Sequence, residues 1–204
     1  MWNAFRFIQE HISLFDAKPS IEGNFGVINE WLLHQASYTF DQYKRHLEQN
    51  EFTGSLAAID QFFWNDFCDN YLELVKDQLF HPELYDMNQV KATRWVLYHV
   101  GLRILQWYAP YVPYITDAIY QEIYKKYEGD LSIHQSKFAT TQIEYDFKKS
   151  SAVMKSVIGV IGHIRRLKTE KQLSLKTPLA NLLIVDEKNI HLDDIASQEL
   201  LIKG

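Results

Sequence analysis

One cysteine in 204 residues excludes an internal disulfide framework and any zinc site built on several thiolates, and it fits a reducing compartment. That residue, Cys68, falls among large apolar neighbours and reads as a buried, inert thiol. The start, Met1-Trp2-Asn3-Ala4-Phe5-Arg6, has neither a basic n-region nor a continuous apolar run, so no signal peptide is visible. The most membrane-like stretch, 96–115, is interrupted by His99, Arg103, Gln106, Pro110 and Pro113 and is not a spanning helix. Also absent are a Gly-x-Ser-x-Gly elbow, a phosphate-cradling glycine loop, a dinucleotide fingerprint, His-Glu-x-x-His and the Glu-x-x-His pairs of di-metal bundles. The eight histidines are scattered. No catalytic residue and no metal ligand is assigned, and no internal repeat stands out.

Aromatic residues are plentiful, with five Trp, twelve Tyr and twelve Phe, which disfavours disorder and suits a chain long enough to bury a full core. The net charge of −5 argues weakly against a general nucleic-acid binder. The charge is uneven, however. From Lys148 to Lys176 eight basic residues face one acid, Glu170, a local balance of +7, while the remainder holds 13 basic and 25 acidic residues, or −12. A basic segment on an acidic body can still engage phosphates.

Periodicity gives a series of helices. Trp2, Phe5, Ile8, Ile12 and Phe15 mark the apolar face of an uncapped first helix, whose abrupt start is expected of a piece of something longer. After a Pro- and Gly-containing loop at 16–23, Asn24 offers an N-cap for a second helix of about two dozen residues. A third helix is expected from Phe52 to Phe80, ended by His81-Pro82. Asp86 with Gln89 gives a capping-box pattern for a fourth, to about Trp107. Pro110 and Pro113 break it, and a fifth runs to about Tyr127, closed by Gly129. The stretch 132–137 reads as extended. Ser150 or Ser151 caps a sixth helix, from Ala152 to about Gln172, and Leu182 to Val185 reads as a short strand.

The third helix is the organising one. Around Phe63, Trp64, Phe67, Cys68, Tyr71, Leu72, Leu74 and Val75 its apolar surface is too wide for one neighbour, so other helices must cover two or more sides. Asp66, Asp69, Glu73 and Lys76, at steps of three, four and three, share one narrow polar stripe on an α-helix. A solvated or hydrogen-bonded face accounts for it without a metal.

Two clusters carry a binding reading. Asn3 and Arg6 share the polar edge of the first helix beside Trp2 and Phe5, and a guanidinium and an amide next to aromatic rings can stack on and hydrogen-bond unpaired bases. The alternative is that Trp2 and Phe5 are core and Arg6 pairs with a surface acid. Arg165, Arg166 and Lys168, with Lys171 and Lys176 beyond them, suit either a solvated helix C-terminus or sequence-independent phosphate contacts.

Five segments, in order, resemble the anticodon-binding domain of valyl-tRNA synthetase: Trp2-Asn3-Ala4-Phe5-Arg6-Phe7, the run from Phe62 to Glu73, Pro110-Tyr111-Val112-Pro113-Tyr114-Ile115-Thr116, Ser132-Ile133-His134-Gln135-Ser136-Lys137, and the basic helix end from Ile164 to Lys171. The chain differs from the family's usual pattern at Asn70, Ala109 and Phe138-Ala139. The resemblance implies an all-α fold, the anticodon-binding helix bundle of class I synthetases, over residues 1–176, with a short incomplete α/β appendage at 177–204. It implies that Trp2, Asn3 and Arg6 meet the anticodon of valine tRNA and that Arg165, Arg166 and Lys168 meet its backbone. It further implies a cytoplasmic parent enzyme whose separate catalytic domain uses ATP and magnesium, the family's His-Ile-Gly-His and Lys-Met-Ser-Lys-Ser motifs being absent from this sequence. This part, holding no cofactor and meeting no membrane, then grips the anticodon stem-loop beside the remainder of the synthetase. The rival readings are a stand-alone helical-bundle interaction protein without tRNA binding and a metal-dependent helical enzyme.

Overall fold

The computed structural model describes residues 1–20, 24–136, 145–175, 177–179, 181–185 and 192–203. Among them every regular element is helical, as expected: α1 (Trp2–Ile12), α2 (Val27–Glu48), α3 (Phe52–Gln61), a π-helical segment (Phe62–Leu72), α4 (Glu73–Phe80), α5 (Met87–Tyr108), α6 (Pro113–Ile123), α7 (Lys125–Glu128), α8 (Lys148–Glu170), α9 (Leu192–Ala196) and α10 (Glu199–Lys203). No described helix is long and apolar enough to cross a membrane.

Several boundaries follow from local chemistry. The Asp86 carboxylate accepts from Asn88 N at 2.6 Å and Gln89 N at 3.3 Å and starts α5. Pro113 occupies the first turn of α6, where its missing N–H costs nothing. Gly129, at φ 82°, closes α7. Asn50 (φ 60°) ends α2 in a Schellman arrangement, with Glu51 N donating to His46 O at 2.8 Å and Asn50 N to Leu47 O at 3.0 Å.

Other expectations need correction. Asn24 does not cap α2; its side chain accepts from Gly26 N at 2.8 Å, forming a turn before the helix. Ser150 and Ser151 do not cap α8, which begins earlier, at Lys148; Ser150 is buried and donates to the Glu30 carboxylate on α2. Residues 133–135 form a 3₁₀ turn, because Asp117 accepts both the Ser132 hydroxyl (2.7 Å) and Ile133 N (3.0 Å). Leu182 to Val185 are irregular, so the tail's described residues hold two short helices and no strand.

The α3, π and α4 segments form one continuous rod, as the sequence suggests, but its middle is wound differently. The buried residues of the π segment are Phe62, Phe63, Phe67, Tyr71 and Leu72. Their spacings of four and five match i→i+5 hydrogen bonding rather than an α-helical turn. The rings of Phe63, Phe67 and Tyr71 stack in a column, at centroid separations of 6.3 and 6.1 Å. Trp64 is therefore 52% exposed instead of core, and Cys68 and Leu74 are only half-buried. The carboxylate stripe breaks for the same reason. Asp69 and Glu73 stay exposed, Glu73 pairing with Lys76, while Asp66 turns partly inward.

The rod is packed by α2 on one side and α5 on another. Thirteen of the 22 residues of α5 are buried, which places that helix at the centre of the bundle. A buried polar network ties the three together. Tyr71 donates to Asn29 Oδ1 (2.6 Å), Asn29 Nδ2 donates to Thr93 Oγ1 (3.0 Å) and Phe25 O (2.8 Å), and Thr93 donates to Gln78 Oε1 (2.7 Å). Helix α1 packs on α5 and α6, whereas α8 packs on α2 and carries α9 and α10.

Candidate nucleic-acid interface

Helix α1 divides sharply into two faces. Phe5, Ile8, His11 and Ile12 are buried against the bundle, with Phe5 meeting Tyr124 edge-on at 6.5 Å. That close approach depends on Gly101, where a Cβ would collide with the Tyr124 hydroxyl and sit 3.0 Å from Ile8 Cδ1. Gln9 donates to Glu122 on α6 at 3.2 Å, which fixes the rotation of α1.

The other face is open. Trp2 is 46% exposed, and Asn3, Arg6, Glu10 and Ser13 follow at helical spacing. Asn3, Arg6, Phe7, Gln9, Glu10 and Ser13 line an open groove of about 640 Å³. Trp2 stands one turn from Arg6 on the same side, so the three residues singled out from the sequence share one accessible edge. Trp2 is thus not core, although Phe5 is. Among the described residues Arg6 has no carboxylate within ion-pair distance. Its guanidinium fork is free for an external acceptor.

The basic end of α8 is a different case. Only Ser150, Val153, Met154 and Val157 of α8 are buried, all in its first half; Leu167, expected on the apolar face, is exposed. The second half carries Arg165 and Lys168 half-buried and Arg166 exposed. Lys168 Nζ donates to Leu175 O at 2.8 Å, holding the chain as it turns back through Gln172 at φ 54°. Leu173 N completes the cap on Lys168 O at 2.8 Å. Lys168 thus serves the helix end, and Arg165 and Arg166 have no carboxylate partner among the described residues. Lys137, Phe138, Ala139 and Lys176 lie outside the described residues. Helix α1 rests on α5 and α6, whereas α8 rests on α2.

A third cluster escaped the sequence. Phe7 and His11 of α1 meet Phe80 at the end of α4, with centroid separations of 4.6 Å between Phe7 and His11, 6.1 Å between Phe7 and Phe80, and 5.3 Å between His11 and Phe80. Burial, and the charge of Arg94 on α5, hold the His11 imidazole below its ordinary pKa against the opposing pull of Glu10. A separate imidazole, His99, stacks on Trp95 at 4.6 Å and is pushed down to about 4 by burial and then by Arg103. Among the described residues no group of three His, Cys, Asp or Glu side chains is placed to hold a metal ion.

The fold is thus an all-α bundle that leaves the Arg6 guanidinium and the Asn3 amide uncommitted beside the half-exposed Trp2. A family model described as the anticodon-binding domain of tRNA ligase matches residues 29–184, and the chain belongs to that family. Arg165, Arg166 and Lys168 fall within the matched segment, while Trp2, Asn3 and Arg6 precede it. The chain is also similar to valine--tRNA ligases: that of Wolbachia pipientis wMel, 32% identical over 205 residues and 98% of this chain; that of Orientia tsutsugamushi, 31% over 197 residues and 90%; and that of Rickettsia felis, 26% over 189 residues and 88%. It spans about a fifth of the length of these curated relatives, 22%, 22% and 21% respectively.

Proposed function

We propose that this chain is the part of a valyl-tRNA synthetase that grips the anticodon stem-loop of valine tRNA. The observation that carries the reading is the accessible α1 edge, where Arg6 and Asn3 stand beside half-exposed Trp2 with the arginine left unpaired, in a chain similar over nearly its whole length to valine--tRNA ligases. Arg6 and Asn3 hydrogen-bond anticodon bases, Trp2 offers a ring to stack on, and Arg165 and Arg166, joined by Lys168 through whatever capacity its cap leaves, meet backbone phosphates. Residues 1–176 form the tRNA-binding bundle and 177–204 an appendage to it. Activation of valine with ATP and magnesium belongs to other parts of a cytoplasmic parent enzyme, which this chain supports by presenting the tRNA.

The test is binding of a valine anticodon stem-loop against the same hairpin with its middle anticodon base changed, at two salt concentrations. Preference for the valine hairpin should survive added salt and shrink in Arg6→Ala. Binding that ignores the base change and vanishes with salt would sink base reading by α1 and leave phosphate contacts alone. Binding of neither hairpin would favour a stand-alone interaction bundle.

A further inference from the structure

Four of the described glycines are explained where they stand. Gly26 and Gly129 hold positive φ, and a Cβ at Gly54 or Gly101 would collide with His46 or Tyr124. Gly159 and Gly162 have no such reason. Both are exposed on α8, and a Cβ at either would meet nothing within 4 Å. Glycine inside an exposed helix weakens it relative to almost any other residue; what it offers instead is close approach of the backbone by something else.

The two glycines lie on one line with two cations. Lys155, Gly159, Gly162 and Arg166 follow at steps of four, three and four, which keeps them within about 60° of one another around the helix. The line points away from the bundle. Val153 and Val157, which are buried, and Ile164 and Lys168, which line a cavity under the tail, occupy the opposite side of α8. Lys155 and Arg166 are exposed and have no carboxylate partner among the described residues. Lys148, seven residues before Lys155, continues the line and is paired with Asp146 at 2.9 Å. From Lys148 to Thr169 the helix carries no acidic residue.

A bare strip of helix between two uncommitted cations, about 16 Å apart along the axis, complements a polyanion. The line has no aromatic ring to stack on a base and no side-chain amide to read a base edge. It therefore suits the phosphodiester backbone of a duplex better than an unpaired loop. A second helix packing here would need apolar side chains at the contact, and this line supplies charged ones.

We infer that the Lys155, Gly159, Gly162 and Arg166 line of α8 seats the phosphate backbone of an RNA stem. The glycines let a strand lie against the helix, and Lys155 and Arg166 pair with phosphates to either side. The inference rests on the tRNA-binding reading above and extends it from the loop to the stem, through a contact blind to sequence.

The test measures binding of two RNAs, the valine anticodon stem-loop and a loopless duplex copying its stem, at two salt concentrations. The proteins are the unchanged chain, Lys155→Ala, Gly159→Gln, Gly162→Gln and Arg6→Ala, each with a urea melt. The glycine variants should raise the urea midpoint, because glutamine is the better helix former and finds open space. They should nevertheless weaken both RNAs about tenfold, by holding the strand off the helix and away from both cations. Lys155→Ala should weaken both about threefold and reduce the slope of log affinity against log salt by about one. In all three the preference for the valine anticodon base should match that of the unchanged chain. Undiminished binding by stabilised glycine variants would overturn the seat, and so would lowered midpoints, which would give the glycines a structural role. If Arg6→Ala abolishes base preference while the α8 variants bind normally, the seat falls and the α1 reading stands. If the unchanged chain shows no base preference but loses duplex binding in the glycine variants, the seat stands and the α1 reading falls. An unchanged chain that binds neither RNA, and self-associates through a contact that Gly159→Gln breaks, would place a second copy on this face and overturn the seat.

Discussion

The Tyr71 hydroxyl donates a 2.6 Å hydrogen bond to Asn29 Oδ1, joining the π-helical segment to α2 inside the core. Both residues are almost fully buried, and so are Thr93 and Gln78, which extend the chain of bonds to α5 and α4. A network of this kind contributes modestly when complete, because each bond replaces one to water, but is costly to break because the remaining partner is stranded. Burial of the Tyr71 hydroxyl drives its pKa well above the ordinary value. Tyr71→Phe should lower stability by about 1–3 kcal/mol through the orphaned Asn29 oxygen. Urea denaturation measures this, and an unchanged midpoint would show that the network adds nothing.

Asp66 provides a pH-dependent case. Burial pushes its carboxyl up to about 6, against the opposing hydrogen bond from Gln35 on α2. The sign follows from linkage. A carboxyl whose folded pKa lies above its unfolded one is harmless while protonated in both states. It weakens the fold as pH rises from about 4 through about 6, and the penalty is constant above that. Asp66→Asn should therefore stabilise the protein near neutral pH, by about 1–2 kcal/mol once partial solvent screening is allowed for. Near pH 4 the difference from the unchanged chain should almost vanish. Paired urea melts at the two pH values decide it, and equal shifts at both would exclude the carboxyl as the cause.

Much of the architecture was legible in local signals. His81-Pro82, Asp86, Pro113 and Gly129 act through backbone chemistry confined to a few residues, and each terminates or starts a helix where the sequence places it. The apolar face of α1 was legible as well, except at Trp2, which sits before the helix gains cover. What failed was whatever depended on competing partners. Asn24 and Ser150 have the right side chains for capping, but one turns to Gly26 and the other is captured by Glu30. The π winding at 62–72 leaves no mark in an apolar pattern read at 3.6 residues per turn, which is why the Asp66 stripe and the burial of Trp64 were misjudged. The Phe7, His11 and Phe80 cluster joins α1 to the end of α4 and has no sequence spacing by which to be found.

Cys68 should be nearly inert. Burial beside Asp69 and Glu73 pushes its thiol up to about 11. Against an ordinary value near 9, the thiolate fraction at mildly alkaline pH falls about 100-fold. Reaction with a chromogenic disulfide reagent should be slower by that order in the folded chain than in the urea-unfolded one. Equal rates would mean the site is open to solvent.

Gly101 tests the packing that holds the α1 edge in place. A methyl group there would meet the Tyr124 hydroxyl, itself buried without a partner, and would press on Ile8 at 3.0 Å and Phe5 at 3.6 Å. In an exposed helix, Gly→Ala would gain roughly 1 kcal/mol from backbone preference. Here overpacking, of about 1–3 kcal/mol, opposes that gain and should exceed it. Tyr124 is fully buried, and the ring cannot withdraw without displacing Phe5 and Tyr98. Gly101→Ala should therefore lower the urea midpoint, and Gly101→Val should lower it further. Because the strain falls on Ile8 and Phe5, the same variants should weaken hairpin binding although Gly101 is itself buried. A stabilised Gly101→Ala would mean that α1 shifts freely on α5, and an edge that shifts freely could not hold Asn3 and Arg6 in fixed register against a base.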